Sequence, residues 1–303
     1  MRDIFISWLC QQAAIDPRIV LLTADLGYSV IEPFADQFPN RFINVGVAEQ
    51  NMVGLAAGLA SEGLRPYTYS IGIFPTFRCA EQLRNDVDYH VLPVCSCTVG
   101  SGLAYGALGY THHAIQDLAL MRSLSSTMMG TPSDPCEVQA LLNWQIGASA
   151  PMYLRLHKRG EPNLHTSIPT LVPCQPLQIH ATPGAEASIV VVGFLASEVL
   201  RMVRVNEVPA DVYTLPLWGA QYRERAVKCL AKYKTIISVE DHMLDGGFGS
   251  WLLETFASQG DSTTCIPIAL PPDVVGKVAC EQTLLKPLLS SLERAMFMLS
   301  TPS

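Results

Sequence analysis

The sequence predicts an α/β protein of two units, each with a mainly parallel sheet flanked by helices. Short, continuous apolar runs such as Ile19–Leu22 alternate with helix-length segments, and runs of that kind suit strands buried on both faces. The alternation stops between about residues 160 and 185, where five prolines and little periodicity mark a linker or a set of extended crossing segments. From Ser188 it restarts and continues to the last helix. The units implied are residues 1–165 and 186–303, joined by 166–185. At 303 residues each unit has enough chain to bury a core.

Apolar positions at Ile4, Ile6, Leu9, Ala13 and Ala14 give residues 3–14 a loose helical face, and Asp16-Pro17 breaks it. The strand at Ile19–Leu22 follows, then a second at Phe42–Val45 after the turn-rich Phe38-Pro39-Asn40. A helix begins near Ala48 and ends at the stop signal Gly63; its small residues at 54, 56, 57, 58 and 60 allow close packing on a neighbour. Next come a strand at 65–70, a helix at about 75–90 and a strand at 92–99. A Gly-rich loop at 100–109 leads to helices at 114–122 and 134–149, and the strand Met152–Leu156 closes the first unit. In the second unit, strands at 189–193, 211–215, 235–240 and 264–269 alternate with helices at 196–206, 222–232, about 246–257 and 281–297. Such alternation implies parallel sheets with helices on both faces, whose active sites lie outside the carboxyl ends of the strands.

Composition excludes several classes of function. Hydrophobic residues make up 49% and charged residues 16%, so the chain is globular, and the low charge suggests a large core or a surface covered by a partner. A net charge of −7 without basic runs argues against nucleic acid and against a polybasic membrane patch. No basic region followed by an apolar run opens the chain, and no apolar run approaches the roughly 18 residues of a membrane span; the reading is cytoplasmic. Nine cysteines are scattered without a CxxC pair. Cys95-Ser-Cys97 is either a metal or redox pair or two buried thiols of one strand.

Chemistry is concentrated in the loops after strands. Glu49 stands at a helix start immediately after a strand; alone, that pattern is explained by an acid complementing the helix dipole. The loop Gly100–His113 ends in adjacent histidines, His112 and His113. Adjacent side chains diverge and no third ligand is near, so no metal site is assigned. Arg155, with His157, Lys158 and Arg159, follows the last strand of the first unit.

Together these segments resemble a known family. GVAEQNMVGLAAGLASEGLRPY resembles the pyrimidine-binding domain of transketolases and 1-deoxyxylulose-5-phosphate synthases. TADLGYS, FRCAEQLRNDV, GYTHH, IQDLALMR and VEDHMLDGGFGS all occur in the family's order, covering nearly the whole chain. The resemblance implies a thiamine diphosphate-binding pyrimidine domain followed by a transketolase C-terminal domain. It makes Glu49 the acid that hydrogen-bonds N1′ of the aminopyrimidine, favouring the imino tautomer that deprotonates the cofactor. Phe74 and Phe77 would stack on that ring, where the alternative is ordinary core packing, and Ile71 replaces a further aromatic. Asp25 would lie beside the cofactor, or else cap a turn. His112 would contact donor and acceptor oxygens with His113 beside it, and Arg155 would bind a substrate phosphate or carboxylate.

Two departures bear on substrate and assembly. Leu108 and Gly100 replace polar residues that transketolases use for sugar phosphates, which favours a less polar or modified acceptor. No Gly-Asp-Gly motif followed by Asn is present to hold Mg²⁺ and the diphosphate. A separate N-terminal, diphosphate-binding subunit is therefore expected to supply it, in an α2β2 assembly transferring a two-carbon ketol unit to an aldehyde. The alternatives are a subunit of another thiamine diphosphate enzyme (E1β-like or an acyloin synthase) and a non-catalytic regulatory subunit.

Overall fold

The computed structural model describes residues 1–158 and 160–300, so Arg159 of the basic cluster lies outside them. Strands β1 (Ile19–Thr23), β2 (Phe42–Asn44), β3 (Arg65–Ile71), β4 (Cys95–Val99), β5 (Met128–Gly130) and β6 (Met152–Leu156) come from the first unit. They are followed by β7 (Leu177–His180), β8 (Ala187–Val191), β9 (Ala210–Thr214), β10 (Leu217–Trp218), β11 (Thr235–Met243) and β12 (Thr264–Leu270). Two sheets result, ordered β10-β5-β6-β4-β3-β1-β2 and β12-β11-β8-β9-β7. All neighbouring pairs are parallel except β10–β5 and β7–β9.

Every residue of β1, β4, β6, β8 and β9 is buried, as strands covered by helices on both faces must be. In β1, Ile19 and Leu21 face Phe5, Trp8 and Leu9 of the Arg2–Ile15 helix and Leu141 of the Pro135–Ala148 helix. Val20 and Leu22 face the other way, onto Met52, Val53 and Ala56 of the Glu49–Ser61 helix. This second layer does not stop at the first sheet: it runs on through Trp218, Phe248 and Trp251 to Val190 and Ile236. A further cluster, with Leu284, Leu288 and Leu292 of the Glu281–Ser300 helix, covers the opposite face of the second sheet.

Besides the unexpected Glu32–Gln37 helix and β5, three features depart from the sequence expectation. The segment expected as one helix over 75–90 is broken into Phe74–Phe77, Ala80–Gln82 and a π-helical turn at Leu83–Asp88. Asp88 at the end of that turn accepts backbone N–H groups of Ser125, Ser126 and Thr127, fixing the entry to β5. Second, the proline-rich stretch contributes β7, antiparallel to β9. Third, β10 leaves the second half of the chain to pair antiparallel with β5 in the first sheet. Two- and four-residue strands are too short to show a period. Among the described residues no helix is long and apolar enough to cross a membrane.

Candidate active site

Because β1 to β4 and β6 run parallel, the loops after them gather at one edge of the first sheet. At the end of β2, Asn44 organises this edge. Its Oδ1 accepts the backbone N–H of Asp25 and of Gly46, each at 3.0 Å, and its Nδ2 donates to Asp25 Oδ1 at 3.2 Å. Tyr28 also donates to Asp25, at 2.9 Å. Asp25 has φ of 54° and Gly46 of 73°, left-handed conformations that Asp and Gly tolerate. The Asn44–Asp25 knot thus fixes where the chain turns into the next helix, whose first residue is Glu49.

Glu49 is buried, with 4% of its side chain exposed, and forms part of a cavity of about 540 Å³ with Val47, Ala48, Gln50, Asn51 and Arg78. Arg78 Nη1 donates to Glu49 Oε1 at 2.7 Å. The same guanidinium lies 4.4 Å from the centroid of the Phe74 ring, a cation–π contact. Phe74 in turn meets the His112 ring edge-on at 5.2 Å. His112 accepts or donates at Nδ1 to Thr111 Oγ1, 3.0 Å away. Burial, followed by the neighbouring His113 and Arg78 charges, holds the His112 pKa below its ordinary value. The imidazole is therefore neutral near pH 7 and able to donate from one nitrogen and accept at the other. The structure thus brings Glu49, Phe74 and His112 together from three loops, while Asp25 is exposed and tied to Asn44, and Phe77 is more than half exposed.

Two residues expected to touch substrate are placed elsewhere. His113 is fully buried, its Nε2 lying 3.3 Å from Gly106 O. Arg155 is also buried: Nε donates to Asp117 Oδ2 at 2.7 Å, Nη1 to Asp241 Oδ1, and Nη2 to the Ala114 carbonyl at 2.7 Å. Tyr153 donates a further 2.7 Å bond to the same Asp117 oxygen. The guanidinium faces inward because two carboxylates flank it there. In this structure His113 and Arg155 thus both hold backbone carbonyls of the Gly100–His113 loop and the residue after it.

That loop leans on the second unit. A Cβ at Gly102 would lie 2.4 Å from Asp241 Oδ2, and one at Gly106 would lie 2.7 Å from both Ala279 O and Leu284 Cδ1. Only glycine permits these approaches. Lys158 Nζ sits 4.5 Å from the Tyr105 ring centroid. Beside Asp241, Glu240 accepts the first N–H groups of the Phe248–Ser258 helix, from Phe248 at 2.6 Å and Gly249 at 2.7 Å. Burial raises Glu240 to about 8 against those donors and Arg155. Sequence reasoning missed Arg78, Asp117, Glu240 and Asp241, although each lies inside a segment that carries the resemblance.

Cys95 and Cys97 lie fully buried in β4 as free thiols, and burial raises both. One group of side chains among the described residues has metal-like spacing: Asp134, Glu137 and His165. Its oxygens are already engaged, by the N–H groups of Glu137, Leu164, His165 and Ser133 and by the His165 ring. It clamps the chain leaving the first unit to the start of the Pro135–Ala148 helix.

Residues 1–162 match the family model described as transketolase, pyrimidine binding domain. The chain is 33% identical over 237 residues to one subunit of the apulose-4-phosphate transketolase of Actinobacillus succinogenes, covering 77% of this chain and 76% of that protein. It is 31% identical over 278 residues to 1-deoxy-D-xylulose-5-phosphate synthase of Neisseria meningitidis, covering 88% of this chain but 41% of the relative. Among solved structures, a split-gene transketolase described as an inactive β4 tetramer superposes with a TM-score of 0.83 at 27% identity, covering 98% of this chain and 97% of that one.

Proposed function

The chain belongs to the transketolase family, corresponding to the C-terminal half of a split transketolase, and from that premise we propose that it is the β subunit of a thiamine diphosphate-dependent ketol transferase. The observation that carries the reading is the buried Glu49 carboxylate at the cavity edge, grouped with Phe74 and His112. Residues 1–165 would form the pyrimidine-binding unit and 186–303 the C-terminal unit, with 166–185 between them.

The site fits an aminopyrimidine. Glu49 offers an acceptor at a helix start, and a planar cation already rests on the Phe74 face beside it. When bound, thiamine diphosphate supplies the carbon nucleophile that carries a two-carbon unit. Glu49 would hold a proton at N1′ of the ring, and Phe74 would orient the ring by stacking, with Phe77 at the rim. Asp25 would act through Asn44, fixing the turn that aims Glu49. Neutral His112 would hydrogen-bond the oxygens of donor and acceptor. Mg²⁺ and the diphosphate would be held by a partner chain carrying Gly-Asp-Gly and a later Asn, in an α2β2 assembly; the split-gene neighbour, a β-only tetramer, is described as inactive. Leu108 is exposed on the substrate loop where sugar-phosphate enzymes place an acid, which supports an acceptor other than the usual pentose phosphates.

The test is co-expression with a candidate partner, followed by measurement of Mg²⁺-dependent thiamine diphosphate binding and ketol transfer. The pair is expected to bind and turn over, and Glu49→Gln to abolish turnover. Tight cofactor binding by this chain alone would sink the two-subunit reading. Full turnover in Glu49→Gln would sink the assignment of the activating acid.

A further inference from the structure

We infer that Arg78 is a built-in occupant of the aminopyrimidine slot, which must swing out before the cofactor's ring can seat. The inference rests on the proposed roles of Glu49 and Phe74. In the free chain the Arg78 guanidinium makes the same two contacts assigned to the ring: a 2.7 Å hydrogen bond to Glu49 Oε1 and a seat over the Phe74 face, 4.4 Å from its centroid. A guanidinium is planar and a donor only, so it imitates the flat, N–H-bearing edge of an aminopyrimidine. A ring stacked on that face within reach of Oε1 would fill the volume the guanidinium now fills.

The arrangement is asymmetric in a way that suits displacement. Glu49 is 4% exposed and anchored in a helix, whereas half of the Arg78 side chain faces solvent. Among the described residues Glu49 is the one hydrogen-bond partner of the guanidinium. A half-exposed ion pair and a half-exposed cation–π contact are each weak, so Arg78 can leave at small cost. A ligand that needs the minor, open state has its apparent affinity reduced by that state's population. If Arg78 is out about a tenth to a third of the time, its removal should tighten cofactor binding about three- to tenfold. A second consequence is that the pyrimidine end alone is a poor anchor, so the ring seats only once a partner holds the diphosphate. The alternative, that Arg78 stays in place and orients Glu49 in the loaded enzyme, predicts the opposite sign.

The experiment compares wild type, Arg78→Ala and Arg78→Lys, each reconstituted with the partner subunit. Mg²⁺-thiamine diphosphate is titrated by calorimetry, and its association is followed by stopped-flow fluorescence. Arg78→Ala should lower Kd about three- to tenfold and speed association, with Arg78→Lys between it and wild type, because an ammonium keeps the charge without the planar fork. If Arg78→Ala fails to assemble, Arg78→Gln reads the same sign. An unchanged or weakened affinity in the alanine or glutamine variant overturns the inference. A wild-type complex that binds no cofactor, or one whose binding and turnover ignore Glu49→Gln, overturns the site reading instead.

Discussion

Burying a guanidinium is tolerable only when its donors all find acceptors, and at Arg155 two carboxylates and a carbonyl provide them. Burial would lower the Arg155 pKa, but Asp117 and Asp241 outweigh it and raise the value further. The charge is thus fully engaged by the fold at the carboxyl end of β6, where substrate contacts are expected. Removing it would strand two buried acids. Arg155→Met should therefore cost about 3–5 kcal/mol of stability in urea unfolding, whereas a substrate contact would instead raise KM and leave stability alone. Glu49 behaves differently: its acid was legible because a run of small residues and a strand end frame it, while Arg78 was not, since one arginine four residues after Phe74 looks like any solvated helix charge. Asp117 and Asp241 were illegible for a simpler reason. Their meaning depends on Arg155, which chain order keeps far from both.

At the scale of elements, the substrate loop is held between two units. Gly106 packs against Ala279 O and Leu284 Cδ1, so Gly106→Ala must push the loop away and carry His112 with it. We expect a loss of about 1–3 kcal/mol in stability from overpacking, together with a fall in kcat/KM larger than the Glu49-dependent cofactor affinity would explain. Normal kinetics in this variant would show that the second unit does not position the loop. The neighbouring clasp adds a pH dependence. His157, stacked on Phe194 with centroids 3.9 Å apart, lies 3.0 Å from both Glu161 and Glu281. Burial alone would lower the imidazole, but hydrogen bonds and charge from Glu161 and Glu281 lift it to about 9. An unfolded histidine titrates near ~6.5. Since the folded value lies above the unfolded one, the clasp contributes fully below about pH 6.5 and its contribution is lost as pH rises through 9, on the order of 3 kcal/mol in all. Chemical unfolding at about pH 6 and about pH 9.5 should show that decline in wild type and a flatter profile in His157→Gln. Long periodic elements, such as the Arg2–Ile15 and Glu49–Ser61 helices, were readable from the sequence within a residue or two. The clasp was not, because an ion pair across the two units leaves no period.

Over the whole molecule, two sheets share a core. The sequence marks two α/β units and a proline-rich break, but not the crossing strand β10, whose Leu217 and Trp218 pair with Gly130 and Met129 of the first sheet. Trp218 is fully buried, donates its indole N–H to Thr131 Oγ1 at 2.9 Å, and packs with ring centroids 5.3 Å from both Phe248 and Trp251. It therefore belongs to the first sheet by pairing and to the second unit by chain. A domain that lends a strand to its neighbour cannot unfold alone without uncovering that neighbour's edge. We expect far-UV circular dichroism and tryptophan fluorescence to report one coincident transition on denaturation. Trp218→Ala should lower stability by about 3–5 kcal/mol and separate the two signals, because the shared cluster through Trp251 and Phe248 would lose its centre. A fragment ending at residue 165 tests the same point more severely. Without β10 it exposes the Met128–Gly130 edge and the apolar face that Trp218 covers, so it should be unstable or associate. A soluble, cooperatively folding fragment of near-native stability would show that the units are independent. It would also remove the physical reason for the second unit to influence the loop that carries His112.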